Sequence, residues 1–124
     1  ILSSILKRII YNKYSIKIVM KKDKYFRERG GTAKLINILC MNCGKLIFVY
    51  QKDGLGWLKR CYLNRILVPK EYAEMQKDKK IKDPSDFGNL ICSCGSIIGS
   101  SMKHKDGRLA YHLIRGKFKR ANHK

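Results

Sequence analysis

Cys40-Met41-Asn42-Cys43-Gly44 and its later counterpart Cys92-Ser93-Cys94-Gly95 decide how this chain is read. Each places two thiols in one tight turn and follows them with a glycine, which accepts φ > 0 without a Cβ clash. Two sulfurs so spaced can reach one ion, and four thiolates surround zinc tetrahedrally at ~2.3 Å. Backbone amides of such a turn can point at the sulfurs and help hold them as thiolates. The spacing therefore predicts one structural Zn2+ per chain, held by Cys40, Cys43, Cys92 and Cys94. The second pair is one residue shorter than the usual knuckle, which leaves the ligand set open there. Cys61, between Arg60 and Tyr62, is the substitute for Cys92; otherwise it reads as a small buried residue. His104, His112 and His123 stand outside both turns and read as surface or strand positions. Disulfides fit less well, because five cysteines leave one thiol over. An iron–sulfur cluster uses the same four thiolates, but paired turns on β-hairpins favour zinc.

Outward from these turns the sequence repeats itself. After each cysteine pair comes an apolar, alternating run and then Lys-Asp-Gly, at Lys52-Asp53-Gly54 and again at Lys105-Asp106-Gly107. Asp-Gly between two β-rich runs is a strong hairpin signal. The return strands are expected over 57–68 and 108–119. The fold class expected is mostly β: two zinc-knuckle β-hairpins form a small zinc-stabilised β domain, with a short helix or loop between the repeats.

The domain is expected over 35–120, with an N-terminal basic helix or arm over 1–34 and a basic tail over 121–124. Ile1, Leu2, Ile5, Leu6, Ile9 and Ile10 recur at helical spacing among basic residues, so 1–19 reads as an amphipathic helix that can touch a membrane surface. The polar run after Met20 looks like a natural start, and 1–19 then lies outside the native protein. Removing that segment takes away four cations and no acid, so the basic character survives. Residues 21–34 have no apolar period and read as an extended arm. Between the repeats, Pro69 opens a segment suited to a short helix, residues 77–82 read as a charged loop, and Asp83-Pro84-Ser85-Asp86 as a turn.

Charge is the second strong feature. The chain has 124 residues, room for one domain, and 28 Lys+Arg against 9 Asp+Glu give a net charge of +19. A surface this cationic attracts polyanions, nucleic acid first and anionic lipid next. No apolar run is long enough to span a bilayer. The candidate phosphate contacts are Lys59, Arg60 and Arg65 on the first return strand and Arg108, Arg115, Lys117, Lys119 and Arg120 on the second. Trp57, Tyr62 and Tyr111 are the candidates for stacking on bases, with core packing as the competing reading for at least two of them. RNA is favoured over duplex DNA, because no recognition helix is evident. The expected function is a zinc-stabilised, basic nucleic-acid-binding module of the cytoplasm, associated with the ribosome or another nucleoprotein.

Cys40-x-x-Cys43-Gly44, the long interval, and Cys92-x-Cys94-Gly95-x-x-Ile98-Gly99 leading to Arg115-Gly116-Lys117-Phe118 together resemble the β-tent zinc-binding domains. That group includes Yippee-like proteins, the cereblon ligand-binding domain and methionine sulfoxide reductase B. The pattern is also similar to the zinc-containing regulatory domain of the antiviral RIG-I-like helicases. An ordinary microbial zinc ribbon is nearly as good a match. The resemblance covers residues 35–118. It implies two further functions beside nucleic-acid binding. One is a small-molecule, peptide or protein-interaction module, for which a single Trp makes a poor aromatic cage. The other is an enzyme like methionine sulfoxide reductase B with Cys61 as nucleophile. A second resolving cysteine is not identifiable, so no enzymatic role is expected.

Overall fold

The computed structural model describes residues 20–123. In chain order it holds α1 (Lys24–Glu28), β1 (Ala33–Cys40), β2 (Leu46–Asp53), β3 (Arg60–Tyr62), β4 (Ile66–Val68), α2 (Lys70–Ala73), β5 (Leu90–Ile91), β6 (Ile97–Lys103), β7 (Leu109–Leu113) and β8 (Phe118–Asn122). The strands form two four-stranded antiparallel sheets, ordered β4-β2-β1-β8 and β3-β7-β6-β5. The mostly β class read from the sequence is what the chain adopts. Among the described residues no helix is long and apolar enough to cross a membrane. The amphipathic helix expected over 1–19 lies outside the described residues.

One apolar core joins the sheets. Along β1 the period of two expected of a half-buried strand puts Ile36, Ile38 and Cys40 inside. The Phe48 ring of β2 lies 6.5 Å from Tyr111 of β7 and 5.6 Å from Tyr72 of α2, and Phe87 meets Tyr111 edge-on at 5.3 Å. These spacings are those of favourable aromatic pairs. Tyr111, a stacking candidate in the sequence, is therefore core: it is 2% exposed and faces other rings rather than solvent.

The second repeat folds as its turn chemistry predicts. β6 and β7 pair from Gly99↔Leu113 to Lys103↔Leu109, and His104 and Arg108 close the Lys105-Asp106-Gly107 turn. Gly99 belongs to the close packing of this hairpin, because a Cβ there would sit 2.8 Å from the His112 carbonyl oxygen. The first repeat departs from expectation. Lys52 and Asp53 remain in β2, and the Gly54 N–H bonds Thr32 O at 2.8 Å, prolonging the β1–β2 ladder. Both edges of β2 are already taken, by β1 and β4, so the chain cannot turn straight back beside it. The expected return strand over 57–68 is split instead. Its first part, β3, joins the other sheet beside β7; after a 3-10 turn over Leu63–Arg65, β4 rejoins the first. The other return strand is split likewise into β7 and β8, one in each sheet. The tail expected from 121 onward is partly strand, since Ala121 and Asn122 pair with Asn37 and Ile36.

The stretch read as an extended arm is not free either. Asp23 caps α1, accepting from the Tyr25 and Phe26 N–H groups, the ordinary role of Asp at that position. Its carboxylate also receives Arg65 Nη1 at 3.0 Å, and Arg65 Nε reaches Asp53 Oδ2 at 2.7 Å. Arg65 is 1% exposed. The sequence placed it among the phosphate contacts; two carboxylates hold it inside, because a buried guanidinium must be paired. The guanidinium holds the Asp23 carboxyl far below the usual carboxylate range. A depressed folded pKa gives stability that is present above the unfolded value and lost as pH falls toward the folded one. Urea unfolding followed from about pH 6 to about pH 2 should show stability falling below about pH 4. Asp23→Asn should flatten that fall, and Arg65→Met should cost about 3–5 kcal/mol at neutral pH.

Candidate metal centre and cationic cleft

Each cysteine pair occupies the turn between two antiparallel strands. Cys40 ends β1, its N–H bonds Lys45 O at 2.9 Å, and Gly44, at φ 78°, returns the chain to β2. Cys92 follows β5, its N–H bonds Ser96 O at 2.9 Å, and Gly95, at φ 94°, leads to β6. The shorter second turn thus closes with the same cysteine-to-turn-end bond as the first. One turn belongs to each sheet, and the two face one another.

The four sulfurs lie within 4.8 Å of one another. Cys40 Sγ is 3.7 Å from Cys94 Sγ, and Cys43 Sγ is 3.6 Å from Cys92 Sγ. A tetrahedron with metal–sulfur bonds of ~2.3 Å has edges of about 3.8 Å, and all four thiols are free of disulfides. The group can hold one metal ion. Local donors favour the thiolate form at one corner, where the Asn42 amide (3.4 Å) and the Ser96 N–H bring Cys94 down to about 6. At Cys43 the Lys45 N–H pulls the other way from the neighbouring sulfurs, and the sulfurs prevail, pushing that thiol up to about 11. Four adjacent thiols cannot all ionise without a cation among them. Lys45 Nζ donates to Ser93 Oγ at 3.0 Å and so links the two turns directly.

Cys61 stands apart from this cluster. It is fully buried in β3, and burial pushes its thiol well above the ordinary value. Neither property suits a nucleophile, which needs a lowered pKa and access. Its role here is the small apolar one.

The candidate nucleic-acid contacts fall into three groups. Arg65 and Tyr111 are interior. Arg115 and Lys117, before β8, and Lys119 and Arg120 on it are exposed. Trp57, Lys59, Arg60, Tyr62 and Arg108 line one cleft of about 310 Å³. The sequence reading did not include the other residues of its wall, among them Tyr25, Arg29 and Lys52. Tyr25 and Arg29 belong to the stretch read as an arm, where Asp23 ahead of Lys24–Glu28 was the available helix-start signal. Lys52 was read as a turn residue. The Arg108 guanidinium lies 3.8 Å from the Tyr25 ring centre and 3.7 Å from that of Tyr62, a cation–π sandwich.

The cysteine assignment has a spectroscopic consequence. Cobalt(II) added to the protein should give the intense visible bands and thiolate charge transfer of a tetrahedral sulfur site. Cys92→Ser should diminish both and Cys61→Ser should leave them unchanged; the reverse would make Cys61 the ligand.

No protein-family description matches the chain, no curated protein is similar to it in sequence, and no solved structure matches it.

Proposed function

We propose that this chain is a zinc-stabilised nucleic-acid-binding module, with RNA as its natural polymer and the ribosome or another nucleoprotein as its setting. In this reading the two cysteine turns are zinc knuckles on β-hairpins, as in β-tent or zinc-ribbon domains, and Zn2+ is the ion among the four sulfurs. The all-thiolate set and the near-tetrahedral spacing support zinc.

One observation carries the nucleic-acid reading: the cationic surplus is left unneutralised. Among the described residues only Arg65, Lys70, Lys103 and Arg108 have a carboxylate oxygen within 4.0 Å. Most of the other described lysines and arginines are exposed and present open positive charge, and a chain of net +19 is relieved of self-repulsion by a polyanion. RNA is favoured because α1 and α2 have five and four residues, too short to fill a major groove. Arg115, Lys117, Lys119 and Arg120 serve as backbone contacts, which position a strand without reading its sequence.

The purified protein should contain about one zinc per chain, and a chelator should unfold it cooperatively; a metal-free, folded protein rules the zinc reading out. Binding to mixed single-stranded RNA should weaken steeply with salt. The combined Lys117→Ala, Lys119→Ala and Arg120→Ala variant should reduce the slope of log K against log salt by about 2, at ~0.7 per phosphate contact. Absence of binding at low salt rules the function out.

A further inference from the structure

The cleft beside Trp57 is built differently from the open cationic surface. Lys52 lines it, yet is only 7% exposed. Its ammonium has the Gly54 carbonyl oxygen at 3.0 Å, and among the described residues no carboxylate within 4.0 Å. Across the ladder it faces Lys34, a like charge directly opposite, which is unfavourable by itself. Burial pulls its pKa below the ordinary lysine value, and Arg120, Arg29 and Lys34 nearby lower it further, against a smaller upward pull from Asp53. Arg29 and Arg60 also line the cleft without an acid partner; their guanidinium groups bond the Leu55 carbonyl and the Tyr62 hydroxyl, each at 3.0 Å. The one acid in the wall, Asp53, has both oxygens engaged, by Arg65 Nε at 2.7 Å and Gln51 Nε2 at 2.9 Å. A buried cation with no carboxylate paired to it is costly. An anion seated there removes that cost.

The rim supplies an aromatic face. Trp57 is the only tryptophan of the chain and is 83% exposed. It stands on the loop between β2 and β3, close to Gly56, whose φ of 112° lets the chain turn there. An uncovered indole beside unpaired cations is the pairing that single-stranded nucleic acid uses, base on ring and phosphate on ammonium or guanidinium. A volume of about 310 Å³ is at the lower end of small-ligand sites, enough for one nucleotide and not for a duplex.

We propose that this cleft is a single-nucleotide subsite: the phosphate sits on Lys52, Arg29 and Arg60, and the base stacks on Trp57. The proposal rests on the nucleic-acid reading and sharpens it, because a paired base in a duplex cannot reach the indole. The same chemistry is offered by a free nucleoside monophosphate and by one unit of a single strand.

The test uses full-length protein and two readouts, quenching of Trp57 fluorescence and anisotropy of a labelled strand. The probes are a single-stranded oligoribonucleotide, its duplex, adenosine monophosphate and inorganic polyphosphate, which has charge but no base. The strand should quench Trp57, whereas the duplex and polyphosphate should bind with little quenching. Trp57→Ala should weaken the strand on the order of ten-fold and leave duplex affinity and the salt slope unchanged, since an exposed indole adds little to folding. Quenching by adenosine monophosphate without quenching by the strand supports the subsite and makes the free nucleotide its occupant. The subsite is overturned if polyphosphate quenches as strongly as the strand or adenosine monophosphate does, or if a strand that quenches Trp57 binds Trp57→Ala as well as the native protein. It is also overturned if neither nucleotide nor strand quenches, and strand binding that persists by anisotropy then leaves the nucleic-acid reading standing. The general reading fails separately, when no nucleic acid binds at low salt by either readout.

Discussion

The turn between β1 and β2 belongs to one sheet and the turn between β5 and β6 to the other, and their four sulfurs meet within 4.8 Å. Much of the remaining architecture is arranged about that meeting point. A core shared by only four short strands on each side gives a small domain limited burial to set against chain entropy. A metal ion held by all four sulfurs would fasten the sheets at one end, where Met41, Leu46, Ile91 and Ile97 are substantially exposed. A divalent ion with four thiolates also has a net negative charge. Within a chain of +19 such a centre is favoured by the surrounding field, and Lys45, bonded to Ser93 across the two turns, is placed to benefit from it.

The other end of the molecule is fastened by charge. Arg65, on the 3-10 turn where the chain crosses back from the second sheet to the first, draws together Asp53 at the end of β2 and Asp23 at the start of α1. With few acids in the chain, committing two of nine to one buried arginine is a large share. The result is that three segments distant in sequence are held together, and most of the uncommitted cations, Lys52 apart, are left on the outside. Gln51 strengthens the same junction: it accepts the Lys21 N–H at 2.6 Å and donates to the Lys21 carbonyl at 2.8 Å.

What could be read from the sequence divides along physical lines. The cysteine turns were legible because a thiol pair with a trailing glycine is a local signal, and the β6–β7 hairpin was legible because its Asp-Gly turn is local too. The first Lys-Asp-Gly misled for a reason that local chemistry does not contain. Asp53 is bound by Arg65, and β2 has both neighbours already, so the chain crosses to the other sheet rather than reversing. Arg65 was misplaced on the same account: nothing in its neighbourhood along the chain announces two carboxylates from elsewhere. Tyr111 and Cys61 resolved in favour of packing, since burial depends on what the opposite sheet provides.

The cleft follows from contacts distant in sequence rather than from any motif. Its walls come from α1, the end of β2, the loop before β3, β3 itself and the turn after β6. Arg108 joins three of these, stacked between Tyr25 and Tyr62 while its Nε donates to Asp106 at 3.0 Å. Were α1 not held by Asp23 on Arg65, Tyr25 would leave that stack and the cleft would lose a wall. Across the sheets the Tyr62 N–H donates to the Tyr50 hydroxyl at 2.9 Å, which ties β3 to β2 and so Arg60 to Lys52. Lys52, Arg29 and Arg60 are held there by neutral partners, the Gly54 and Leu55 carbonyls and the Tyr62 hydroxyl. That arrangement leaves their charge free for a ligand.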